Sequence, residues 1–250
     1  MPAVAGKKLA IRQGLTDTRS DRYRQWIAVM RRFINSALGR IVRWLPPTEI
    51  LDGYENPELI EMMFRKARDF SPTHRWDEFT NRSAVLDFGG GFAQHYKCAT
   101  PLSPEVKWAV VETPAVVARA SALASDRLRF FTAVEQAADW LGEIDLMHSD
   151  GALHYSPDPV AALRSLCAVG AREMLWKRTF VSGTDRTEIE DQLSRLDENG
   201  PRVATERGLT VSRKLVRYRM TRIPEATFLA MHSAYALIER SESGFRFVRT

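Results

Sequence analysis

SAVLDFGGGFAQHY, residues 83–96, is the stretch that decides the fold of this chain. Its opening run, Ser83–Phe88, is largely apolar and reads as a strand, with Asp87 near its end and Gly89, Gly90 and Gly91 directly after it. Glycines in a strand-to-helix turn let the backbone bend tightly and let a ligand approach main-chain atoms. Two details narrow the ligand. The dinucleotide pattern G-x-G-x-x-G fails at its last position, which is Gln94. A carboxylate at Asp87 would repel a pyrophosphate drawn to the positive end of the next helix. It suits a ligand with a cationic amino group.

Working outward, the same alternation of strand and helix continues. Strand candidates are VKWAVVE (106–112), RLRFF (127–131), IDLMHS (144–149) and REMLWKRTF (172–180), with helical stretches beginning at Pro114, Ala133 and Pro159. Strands alternating with helices in this way predict an α/β fold with a doubly wound, Rossmann-like parallel sheet. Right-handed crossovers then place helices on both faces. Beyond Phe180 the spacing predicts a helix over 187–196, a turn at DENGP (197–201), and a strand pair within LTVSRKLVRYRMTRIP (209–224). A helix over 224–233 and two closing strands, YALIER and FRFVRT, complete the chain.

Upstream, residues 1–18 lack periodicity and read as a flexible tail. Between Ser20 and Leu45 the apolar positions, Trp26, Ile27, Phe33, Ile34 and Leu38 among them, recur at helical spacing with arginines between, until Pro46 and Pro47 stop the helix. A second helix is expected over 57–70, capped by Asn56, followed by a polar linker over 71–83. The expected organisation is a tail (1–18), a helical N-terminal region (19–80) and a ligand-binding domain (81–250).

Glu112 closes the second strand of that domain, where an acid can accept hydrogen bonds from both hydroxyls of a ribose. With Glu112 in place, Asp-x-Gly-x-Gly-x-Ala at 87–93 resembles the first motif of class I S-adenosylmethionine-dependent methyltransferases. The stretches VLDFGGGFAQHY, WAVVETP, RLRFF and IDLMHSDGALHYSPDP resemble a bacterial group of such proteins whose substrate is unassigned. The resemblance implies seven strands in the order 3-2-1-4-5-7-6, strand 7 antiparallel, with S-adenosyl-L-methionine as cofactor. It implies that Asp87, Gly89, Gly90 and Gly91 hold the methionine part and Glu112 the ribose. It also implies that Thr132 and Ala133 contact the adenine, and that His148 and Ser149 line the methyl-transfer site. RFFTAVEQ departs from the pattern, having no Asp after the third strand.

His148, Asp150, His154 and Tyr155 fall at or just past the end of the fourth strand, where open α/β sheets place ligands. Methyl transfer is an in-line displacement that depends on alignment. A base is needed only for a hydroxyl or protonated amine, and His148 and His154 are the candidates. His95 and Tyr96, one turn into the helix after the glycines, read first as helix-packing residues, the alternative being that they face the cofactor's carboxylate or the acceptor.

Other chemistries find less support. The five histidines and two cysteines show no metal-ligand spacing, so no metal is expected. There is no G-x-S-x-G elbow and no phosphate-binding Lys-Ser/Thr loop. Charge is uneven: residues 1–45 hold ten Lys/Arg against two acids, whereas 46–201 hold 16 against 25. The acidic centre disfavours nucleic acid as a partner. The basic helix over 20–45 reads either as packing on the domain or as peripheral contact with anionic membrane. A cytoplasmic protein, peripheral at the inner membrane in the second case, is the reading. The expected function is methylation of a small-molecule or glycan-linked acceptor. The alternatives are an NAD-dependent oxidoreductase or a catalytically silent binding module.

Overall fold

The computed structural model describes residues 45–203, 212–242 and 244–250. The expected tail, the basic helix up to its last residue, its membrane contact, and the start of the 209–224 segment lie outside the described residues.

The centre is a seven-stranded sheet built from β2 (Ala84–Phe88), β3 (Lys107–Val111), β4 (Leu128–Phe131), β5 (Leu146–Asp150), β6 (Glu173–Lys177), β9 (Tyr235–Ser241) and β10 (Gly244–Arg249). Its order is β4-β3-β2-β5-β6-β10-β9, with β10 antiparallel to both neighbours and the pairs among β2–β6 parallel. Counted from β2, this is the expected order 3-2-1-4-5-7-6. The fold class and the antiparallel penultimate strand are those expected from the sequence. The first four residues of β2 and the last four of β3 are buried, as strands covered on both faces must be.

Helices alternate with these strands: α1 (Pro57–Asp69) before them, then α2 (Gln94–Ala99), α3 (Pro114–Ala120), α4 (Val134–Leu141), α5 (Pro159–Ala168) and α6 (Glu225–Met231). Their starts are written locally. The Asn56 side chain accepts from the backbone N–H of Glu58 (3.0 Å) and Leu59 (3.4 Å), with Pro57 as the first helical residue. Asp158 caps α5 in the same way at 2.9 Å from the Ala161 N–H, ahead of Pro159. One core lies between the sheet and α4–α6, including Leu86, Met147, Leu163 and Trp176. A second lies on the opposite face, including Val85, Trp108, Leu146 and Phe79.

Two expectations fail at the C-terminal side. Residues expected as a helix over 187–196 form strand β7 (Glu188–Arg195), and where a strand pair was expected over 209–224 the described residues hold one strand, β8 (Lys214–Arg222). β8 pairs antiparallel with β7 from Glu188↔Arg222 to Arg195↔Leu215, and parallel with a four-residue strand, β1 (Glu49–Asp52), that sequence reading did not anticipate. Pairing decides the matter, since a segment's own helix preference yields to a partner strand. The resulting three-stranded sheet buries Leu51, Val216 and Tyr218 against Leu59, Met62 and Leu196. Tyr54 and Tyr155 pack at its margin. Among the described residues no helix is long and apolar enough to cross a membrane.

Candidate functional site

Asp87 and His148 are register partners on β2 and β5. Strand alternation puts Asp150, two residues on, on the same face, and α2 lays His95 over it. The fully buried Asp87 carboxylate is bonded by His148 Nδ1 (2.8 Å), His95 Nδ1 (3.1 Å) and the Trp108 indole N–H (3.2 Å). His95 Nε2 lies 3.6 Å from Asp150, and Asp150 is bonded by Arg178 Nε at 2.5 Å. The result is a ladder of alternating charge from the sheet interior to its C-terminal edge.

The ladder governs ionisation. Burial works against a charged Asp87, yet the two imidazoles outweigh it and hold the carboxyl well below the usual carboxylate range. Burial likewise works against protonated His95, but Asp87 and Asp150 overcome it and lift its pKa to about 9. His95 therefore does more than the packing expected of it.

For Asp87 and His148 the structure adds surroundings that the sequence reading lacked. Asp87 was read as suiting a ligand with a cationic amino group; three internal donors occupy its carboxylate and none of it is exposed. His148 was expected beside the acceptor, but it too is fully buried, edge-on to Phe79 and His95, with Nε2 unpartnered. Both shape the site from beneath.

Above Asp87 runs the glycine turn. Gly89 (φ +71°) and Gly91 (φ +57°) are left-handed, which glycine adopts without steric cost. Gly90 is needed for space, because a Cβ there would stand 2.3 Å from Asp87 Oδ2. Glu112, at the neighbouring strand end, is brought to this turn. Its Oε1 accepts the Gly91 N–H (2.9 Å) and its Oε2 the Thr113 N–H (3.0 Å). Burial raises its pKa, and the two backbone donors only partly offset this. Each oxygen keeps a second lone pair. Thr132 is exposed and Ala133 half-buried; they follow β4, whose Phe131 carbonyl accepts the Glu112 N–H at 2.9 Å.

On the other side of the turn stand residues at or just past the ends of β5 and β6. Ser149 is fully buried with its hydroxyl unpartnered. His154 is buried, and its Nδ1 accepts the Phe180 N–H at 3.5 Å. Burial first, then the charges of Arg178 and Arg222, hold its pKa down to about 4. With Nδ1 occupied, its proton sits on Nε2, so the ring expected as a base is arranged as a donor. Sequence reasoning missed Tyr54, Arg178 and Tyr218. Tyr54 packs on Tyr218 (centroids 4.3 Å) and edge-on to Tyr155 (5.5 Å). Arg178 has φ +44°, a left-handed backbone that costs a non-glycine residue about 1–3 kcal/mol.

Asp87, His95 and His148 also offer ligand atoms all within 4.8 Å of one another, a set of metal-binding types that the linear spacing did not foretell. Two imidazole donors and one indole donor to the carboxylate account for the cluster as a hydrogen-bonded unit.

No family profile and no curated relative matches the sequence. Among solved structures, the sugar N-methyltransferase KedS8 from Streptoalloteichus is similar at 16% identity over 100% of this chain and 99% of that one, with a TM-score of 0.44. The mitomycin 7-O-methyltransferase MmcR is similar at 14% identity and a TM-score of 0.42 over 76% of this chain, which spans about half (54%) of MmcR. The N-terminal domain of EvdMO1, solved with SAH bound, is similar at 15% identity over 74% of this chain and 78% of that one, with a TM-score of 0.42. At such identities and TM-scores the likeness assigns no function, which has to be argued from the residues.

Proposed function

We propose that the chain transfers a methyl group from S-adenosylmethionine to a small-molecule or glycan-linked acceptor. The observation that carries this reading is Glu112 fastened to the glycine turn, its carboxylate bridging the Gly91 and Thr113 N–H groups with lone pairs to spare. These residues fit the cofactor: Glu112 would hold the ribose hydroxyls, Gly89–Gly91 the methionine part, and Thr132 and Ala133 the adenine. Asp87 would act on the ammonium side through the turn it supports rather than by contact. When bound, the cofactor supplies an electrophilic methyl group. The chain's share is to align the acceptor, which in a displacement reaction is a large part of catalysis. The proton on His154 Nε2 and the burial of His148 argue against either as a base, so we assign none.

NAD is disfavoured by Gln94 in place of the last glycine. The test is calorimetry and thermal denaturation of the full chain with S-adenosylhomocysteine and with NAD. At about 100 times its dissociation constant the former should stabilise by about 2.7 kcal/mol. Binding of NAD with none of S-adenosylhomocysteine would sink the proposal. Binding without methyl transfer to any small-molecule or glycan acceptor would reduce it to a silent binding module.

A further inference from the structure

Around His154 the unmatched polar atoms are donors. The ring is buried, its Nδ1 is taken by the Phe180 N–H, and the proton this leaves on Nε2 has no partner. Arg222, at the end of β8, bonds Glu188 and Glu190 through Nη2 at 3.1 Å each, while its Nε is buried and unpartnered. Arg178 bonds Asp150 through Nε and Nη2, and these bonds stop short of Nη1. Two-thirds of its side chain stays exposed (66%).

The local charges point the same way. Both arginines are brought to His154 by the chain: Arg178 lies two residues before Phe180, whose N–H bonds the ring, and two residues beyond Phe180 the Ser182 N–H bonds the carbonyl of Ile223, next to Arg222, at 2.8 Å. The acids facing them are already engaged: Asp150 is shared by Arg178 and His95, and Glu188 and Glu190 are held by Arg222. A buried donor without an acceptor costs free energy until a ligand supplies one. Guanidinium groups match the planar or tetrahedral oxygens of carboxylates and phosphates.

We infer that Arg178, Arg222 and His154 form an anion subsite beside the transfer site, and that the methyl acceptor carries a phosphate or carboxylate group. The inference rests on the proposal above only in naming that anion as part of the acceptor. The left-handed backbone at Arg178 fits this role, since it turns the side chain back over Gly151, where a Cβ would stand 3.6 Å from the guanidinium carbon.

The experiment is titration of the full chain, saturated with S-adenosylhomocysteine, by inorganic phosphate, pyrophosphate and acetate at constant ionic strength. It is followed by calorimetry and by the ¹⁵N resonance of His154 Nε2. At least one anion should bind saturably, shift that resonance, and lose tenfold or more in affinity in Arg178→Gln, but not in Arg172→Gln. Preference for phosphate and pyrophosphate marks a phosphorylated acceptor, and preference for acetate a carboxylated one. No saturable binding, equal binding in both variants, or an unmoved His154 resonance in the wild-type chain would overturn the subsite. S-adenosylhomocysteine binding is measured beforehand on its own. Its failure would strike the cofactor assignment while the anion titration still proceeds on the free chain.

Discussion

Replacing Asp87 by Asn removes the charge that two buried imidazoles surround while hardly changing the side chain's size. The magnitude follows from His95. Its pKa is held at about 9 in the folded chain, against about 6.5 unfolded, and that gap corresponds to about 3 kcal/mol of stabilisation. A raised pKa contributes fully below pH 6.5 and is lost as pH rises through 9, at about 1.4 kcal/mol per pH unit in between. Asp87→Asn leaves His95 with Asp150 alone, 3.6 Å away. The expected cost near pH 7 is about 3–5 kcal/mol, the range for breaking a buried pair. For a chain of this size that is about 6–20 °C in Tm. Urea denaturation of wild type, Asp87→Asn, His95→Gln and the double variant, followed by circular dichroism from pH 6 to 9.5, measures both effects. The double variant should cost clearly less than the two single costs added, because partners in one network are not additive. A loss below about 1 kcal/mol with the alkaline slope intact would refute the ladder as an electrostatic unit.

Gly90→Ala should destabilise by about 1–3 kcal/mol through overpacking, since the new methyl meets a carboxylate pinned by three donors; unchanged urea midpoints would count against it. Glu112→Gln should weaken S-adenosylhomocysteine binding by about ten- to hundredfold with the fold intact, from charge-assisted bonds of about 1.5–3 kcal/mol; equal affinities in calorimetry would show that the acid serves only the turn. Acid should act through His154 and His232, both held down to about 4, chiefly by burial. His232 accepts the Trp176 N–H (3.0 Å), bonds the Phe228 carbonyl through Nδ1 (2.8 Å) and stacks on Phe247. Their contributions are present above pH 6.5 and lost as pH falls from there toward 4. Unfolding near pH 5 should therefore take up about two protons, and a flat stability curve between pH 6.5 and 4.5 would contradict it.

Much of the sheet was legible because its signals are local. Apolar runs ending in Gly89 or Glu112 need only their neighbours to be read, and Asn56 and Asp158 announce their helices. The two-residue period of LMHSD puts His148 and Asp150 on one face, and the register of β2 with β5 adds Asp87 to it. What it could not convey was that the Asp87 charge would be used internally, because that depends on the angle at which α2 delivers His95. β7 was hidden for a related reason. EIEDQLSR is made largely of residues that favour helices, and only β8, whose partner residues lie 20 to 34 positions on, makes it a strand. β1 has four residues and no pattern of its own. The left-handed backbone of Arg178 leaves no trace in the sequence, since arginine is not a residue that invites it.

The pairing of β1 with β8 also dictates when the molecule can be finished. Asp52 and Arg217, joined across it at 2.8 Å, stand 165 positions apart. During synthesis the ribosome has released β2 through β6 long before β8 emerges. Domains begin to fold as their chain appears, and contacts between distant segments form late because their loop-closure entropy must be met first. The aromatic wall of Tyr54, Tyr155 and Tyr218 is thus the last side of the candidate site to be raised. A nascent chain stalled before Lys214 would carry the glycine turn and Glu112 without that wall.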